Sequence, residues 1–159
     1  MSKDLHNIGS SREWLIVPLR VMIGFGFAAH GYAKLSRGPE AFAITLQSIG
    51  ISQPLFVAWV TTLLEFIGGI CIMVGAFVLP LTLPLAVIMI AAILKVHLQF
   101  GFSSVKFKGM SATGIEFGPV GYELNLLYIT GLVTLALSRP AKLSLDHWLR
   151  PRKPTSKNQ

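Results

Sequence analysis

The chain has 159 residues, of which 52% are apolar and only 13% charged, with a mean hydropathy of +0.62 and a net charge of +7. A soluble domain of this length carries about a quarter charged residues, so this composition excludes one and points to a surface that faces lipid. The positive charge does not point to nucleic acid, because it flanks the apolar part: Lys3 and Arg12 precede it, and Arg139, Lys142, Arg150, Arg152, Lys153 and Lys157 follow it.

In chain order, residues 1–13 are polar and read as a short cytoplasmic tail. Trp14 to about Leu35 is long enough to cross a bilayer, about 30 Å at helical rise. Pro18 and Arg20 interrupt its apolar run and no small-residue cleavage site follows, so it reads as an uncleaved first helix. Arg20 lies near the cytoplasmic end, where a long side chain can snorkel to the headgroups, and reads as a topology or packing residue. Pro39 suits the first position of a second helix and Gly50 its stop. Between them Phe42, Leu46 and Ile49 form a short apolar stripe, which predicts an extra helix along the outer interface or tucked against the bundle.

From Leu55 to Leu94 a single charge, Glu65, stands in 40 residues. One helix of that length exceeds any bilayer, so a break is required, and Pro80 and Pro84 place it near residues 79–84. The expected spans are 55–78 and 83–100, with residues 101–121 as the longest loop and a fourth span over 122–138. The segment from Arg139 to Arg150 reads as an amphipathic interfacial turn with Ser144 as its cap and Trp148 as its anchor. The fold class is therefore an all-α membrane protein, a four-transmembrane-helix bundle occupying residues 14–150, with a basic tail over 151–159. Basic termini outweigh Arg37, Lys106 and Lys108 in the other loops, which predicts cytoplasmic N- and C-termini; the inverted topology is the alternative. Cys71 is the only cysteine, so no intrachain disulfide or CxxC chemistry exists.

That topology gathers ionisable residues in the outer half of the bundle. His30 and Lys34 share one face of the first span. Glu65 lies about 15 Å in from the outer start of the second. Lys95 and His97 fall near the end of the third, about 200° apart on a helix, so only one faces inward. Glu123 and Asn125 open the fourth, where they also suit a helix cap. Charged groups at such depths cost a few kcal/mol unless they pair or face the interior, which makes His30, Lys34, Glu65, Lys95, His97, Glu123 and Asn125 the candidate polar cluster. Gly68 and Gly69 beside Glu65 allow a neighbouring helix to come close.

Five segments together resemble the DoxX family of small bacterial four-helix membrane proteins. They are His30-Gly31-Tyr32-Ala33-Lys34-Leu35, Glu65-Phe66-Ile67-Gly68-Gly69, Val96-His97 with Gly101-Phe102, Gly118-Pro119-Val120-Gly121-Tyr122-Glu123, and Arg139-Pro140 with Leu143-Ser144-Leu145-Asp146. The resemblance implies four spans and a bacterial inner-membrane location. The family is named for a subunit of an archaeal thiosulfate:quinone oxidoreductase and is linked to membrane oxidoreductase complexes, but it supplies no agreed catalytic residues. The leading expectation is a redox-associated membrane subunit with a quinone-type pocket, using His and Glu for proton relay and a partner protein for electrons. The alternatives are a small transporter built around Glu65, a non-catalytic scaffold, and a b-type haem protein ligated by His30 and His97. Enzyme status stays open. The expected partners are the lipid bilayer, a redox protein and further copies of the chain, with no metal.

Overall fold

The computed structural model describes residues 2–111, 114–138 and 144–148, with side chains from Trp14 onward, His147 excepted. Among these residues the chain is mostly helical. The first helix, α1, runs Ser2–Arg37, so the polar start expected as a tail continues the first span as helix. Pro18 sits inside it and removes one backbone bond, to the carbonyl of residue 14. The helix ends at Gly38, whose φ of 83° suits a residue without Cβ. Pro39 then opens α2, Pro39–Ser48, and Gly50 follows it at φ 77°, as the punctuation predicts. The buried face of α2 is Pro39, Ala43 and Leu46. Ala43 and Leu46 pack with Ala58 of the next helix, with Phe42 and Ile49 at the edge.

Helix α3 spans Pro54–Val74 and α4 spans Val78–Ala92. The break between them differs from the expected one. It falls at residues 75–77, where Gly75 takes a left-handed C-cap conformation (φ 75°, ψ 37°) and Phe77 a second left-handed one (φ 52°). The prolines lie inside α4. Pro80 occupies its first turn, where a missing N–H leaves no intrahelical bond unmade, and Pro84 removes only one bond further on. The expected spans 55–78 and 83–100 thus become 54–74 and 78–100. Beyond Ala92 the helix widens into a π turn, Ile93–His97, and closes with a 3₁₀ turn, Leu98–Phe100.

The loop expected over 101–121 contains a strand pair, a correction to the all-helical reading. Strands β1, Phe107–Ser111, and β2, Gly114–Phe117, pair antiparallel. Backbone bonds tie the base of this ribbon to the helix ends: Gly121 N donates to Ser103 O, Tyr122 N to Gly101 O and Glu123 N to Phe102 O. Helix α5 spans Glu123–Leu137 and a single turn, α6, spans Leu145–Trp148. The remaining tail, including the basic segment 151–159, lies outside the described residues.

One core joins the four long helices. Ile23 and Phe27 of α1, Ile72 of α3, Leu85 of α4, and Leu132 and Leu135 of α5 are buried together. The opposite faces are apolar and exposed, as at Leu15, Leu83 and Leu137, which fits hydrocarbon and not water. Three helices are long and apolar enough to cross a membrane, Trp14–Arg37, Pro54–Val74 and Val78–Phe100, while α5 is apolar but shorter.

Candidate functional site

Close packing of α1 against α3 positions the central polar pair. A Cβ added at Gly31 would lie 2.6 Å from Phe66 Cα, and one at Gly24 would lie 2.6 Å from Gly69 O. Glycine at these positions lets the two backbones meet, which antiparallel neighbours in lipid exploit. The resulting register sets Lys34 opposite Glu65, and Lys34 Nζ donates to Glu65 Oε2 at 2.6 Å. Glu65 is 2% exposed, so its carboxylate is held by the ammonium and not by solvent. The same ammonium stands 4.3 Å over the ring of Phe42 on α2, a cation–π contact in which the ring's quadrupole attracts the charge.

In front of Lys34 lies a cavity of about 310 Å³ between α1 and α2. His30, Lys34 and Arg37 supply its polar wall, Phe42 and Thr45 face them from α2, and the small residues Ala33, Gly38 and Ala41 leave the space open. Three cationic or proton-donating side chains at successive turns of α1 favour a carbonyl-bearing or anionic group. Glu65 is not part of this wall. It sits behind Lys34 and fixes its direction. On the far side of His30, the ring of Tyr128 from α5 packs edge-on at 6.4 Å between centroids, and the same Tyr128 meets Phe27 at 5.1 Å.

The other expected members do not join this cluster. His97 Nδ1 bonds Val120 O at 2.9 Å, which ties the end of α4 to the loop before α5. Lys95 is exposed in a separate groove with Leu94, Val96, Leu98 and Gln99, so neither residue of that pair is buried. Glu123 accepts from Ser104 N at 3.0 Å, while Ser104 Oγ accepts from Leu124 N at 3.2 Å. The cap of α5 is therefore Ser104, and Glu123 anchors the loop that presents it. Asn125 is buried and donates to Met89 Sδ at 3.6 Å, linking α5 to α4. Among the described residues no three His, Cys, Asp or Glu side chains gather as a metal site.

Two features escaped the sequence. Arg37 and Phe42 complete the cavity; the signal for Arg37 was its spacing, three after Lys34 and seven after His30 on one helix face. At the opposite end of the bundle Arg20 is 5% exposed, so of its two expected roles, topology or packing, the packing one describes its side chain. It packs against Gly75, where a Cβ would lie 2.5 Å from its guanidinium, and within the field of Asp146.

The family model DoxX matches residues 15–98, which contain α2, α3 and every wall of the cavity. The Escherichia coli (strain K12) inner membrane protein YphA is 23% identical over 142 residues, covering 88% of this chain and 94% of that protein. No solved structure matches.

Proposed function

The chain belongs to the DoxX family of integral membrane proteins, and from that premise we propose that it is a redox-associated subunit that holds a quinone-type headgroup between α1 and α2. The observation that carries this reading is the Lys34 ammonium, oriented by Glu65 and Phe42 into the wall of a cavity of about 310 Å³ beside His30 and Arg37. A quinone carbonyl accepts hydrogen bonds from Lys34 and His30, while its ring finds an apolar edge at Phe42. Reduction to the quinol consumes two electrons and two protons. The electrons come from a partner redox protein, since no residue of this chain supplies them, and His30 is placed to pass protons.

In this reading α5 is the fourth span, supported by its place in the shared core with Phe27, Ile72 and Leu85. The termini face the cytoplasm, supported by the basic residues that cluster there. A C-terminal alkaline phosphatase fusion is then inactive and a green fluorescent protein fusion bright; the reverse pair refutes the orientation.

Binding of a short-chain benzoquinone to the purified full chain in mild detergent tests the pocket. Wild-type protein should bind saturably and His30→Ala should weaken binding at least tenfold, about 1.4 kcal/mol. A wild-type protein that binds no quinone eliminates the quinone reading and leaves the transporter and scaffold alternatives.

A further inference from the structure

The ribbon β1–β2 carries an amphipathic face that its alternation alone does not reveal. Cross-strand partners point to the same side of a sheet, and here Phe107 pairs with Phe117 and Met110 with Ile115. Two steps along β1 between Phe107 and Gly109 match one step along β2, so Lys108 is the extra residue of a β-bulge. The bulge turns Met110 onto the face of Phe107. Four large apolar side chains thus share one face, with exposures of 68% at Phe107, 78% at Met110, 56% at Ile115 and 62% at Phe117. The other face holds Gly109, Ser111, Gly114 and Glu116. A two-stranded ribbon is marginal by itself in water, and this one would expose its whole apolar side.

We propose that the 107–117 ribbon lies on the bilayer surface, its Phe107, Met110, Ile115 and Phe117 face set among the lipid headgroups and upper acyl chains. Continuity with the lipid-facing surface selects this occupant. Leu94 and Leu98 are exposed at the end of α4, and Phe102, Val105 and Val120 continue exposed apolar surface from there to the ribbon. The ribbon's base is fixed at the ends of α4 and α5 by the bonds of Gly118, Gly121, Tyr122 and Glu123 to Lys106, Ser103, Gly101 and Phe102. It therefore stands at the level where those helices leave hydrocarbon. Lys108, exposed on the bulge, is available to lipid phosphates, as in other interfacial amphipathic elements.

Nitroxide labels at Met110→Cys, Ile115→Cys and Glu116→Cys, each in a Cys71→Ala chain reconstituted in phosphatidylcholine–phosphatidylglycerol vesicles, test the proposal. Collision with oxygen should exceed collision with a water-soluble nickel chelate at 110 and 115, and the ratio should invert at 116. High nickel access at all three sites overturns the proposal, because the ribbon then stands in water. Shielding of 110 and 115 from both reagents overturns it too, and spin–spin broadening in that case identifies a second copy as the cover. If Cys71→Ala does not fold, the same labels on the native chain are read against protein labelled at Cys71 alone.

Discussion

Lys34 and Glu65 belong to an apolar bundle only as a pair. Glu65 is almost wholly buried, whereas the Lys34 side chain keeps 22% of its surface exposed at the cavity, so the two are not equivalent. Lys34→Met strands a buried carboxylate and should destabilise the protein by about 3 kcal/mol, whereas Glu65→Leu should cost less because the ammonium still reaches the cavity mouth. The double substitution should recover most of the loss. Unfolding in mixed micelles with rising dodecyl sulfate measures all three; additive losses would show that the pair is not coupled. If the recovered double variant still fails to bind benzoquinone, Lys34 acts on the ligand and not only on the fold. The members of this site were readable where helix periodicity sufficed, as for His30 and Lys34. Depth along the axis was readable for Lys95, His97, Glu123 and Asn125 as well, but direction around it was not. The π turn over Ile93–His97 changes the angular step between Lys95 and His97, and Glu123 is drawn to Ser104 by a loop geometry that no local pattern encodes.

Adjacent glycines in α3 separate close packing from simple absence of a side chain. A Cβ at Gly69 would lie 2.6 Å from Gly24 O and 3.0 Å from Ala28 Cα, backbone atoms of α1 that have no rotamer to adopt. At Gly68 the nearest atom is Leu81 Cδ2 at 3.6 Å, ordinary contact. Gly69→Ala should therefore destabilise by about 2 kcal/mol through overpacking. Gly68→Ala should be neutral or stabilising by up to about 1 kcal/mol, since alanine is the better helix former. Comparable midpoints for the two variants in the same unfolding assay would refute the α1–α3 register. The sequence signal Gly68-Gly69 marked a close approach correctly, yet could not say which glycine faces it. The α3–α4 break shows the converse error. Two prolines attract the eye, but a proline in the first turn of a helix is compatible with it, while Gly75 and Phe77 in left-handed conformations are what reverse the chain.

At the scale of the whole molecule, the last described turn closes the end of the bundle opposite the cavity. Asp146 Oδ1 accepts from Phe77 N at 2.8 Å and Oδ2 from Val78 N at 3.0 Å, capping α4 from a distant part of the chain. Asp146 N returns a bond to Gly75 O at 2.9 Å, and Ser144 is buried against the same glycine. Since Asp146 also acts on the buried Arg20, one carboxylate carried on α6 serves both α1 and the α3–α4 turn. The sequence placed the tail at the interface from its amphipathic pattern, but a contact across 69 residues has no local signature. Asp146→Ala removes the cap and leaves Arg20 without that counter-charge, so it should cost about 3 kcal/mol. Asp146→Asn keeps one acceptor for the α4 amides and should cost less. If the charge on Arg20 is the larger part of the loss, Arg20→Met should cost less in an Asp146→Asn background than alone. Trypsin should also cleave after Lys142 faster in Asp146→Ala than in wild type. Equal cleavage rates, together with an unchanged unfolding midpoint, would mean that the carboxylate does not hold this end shut.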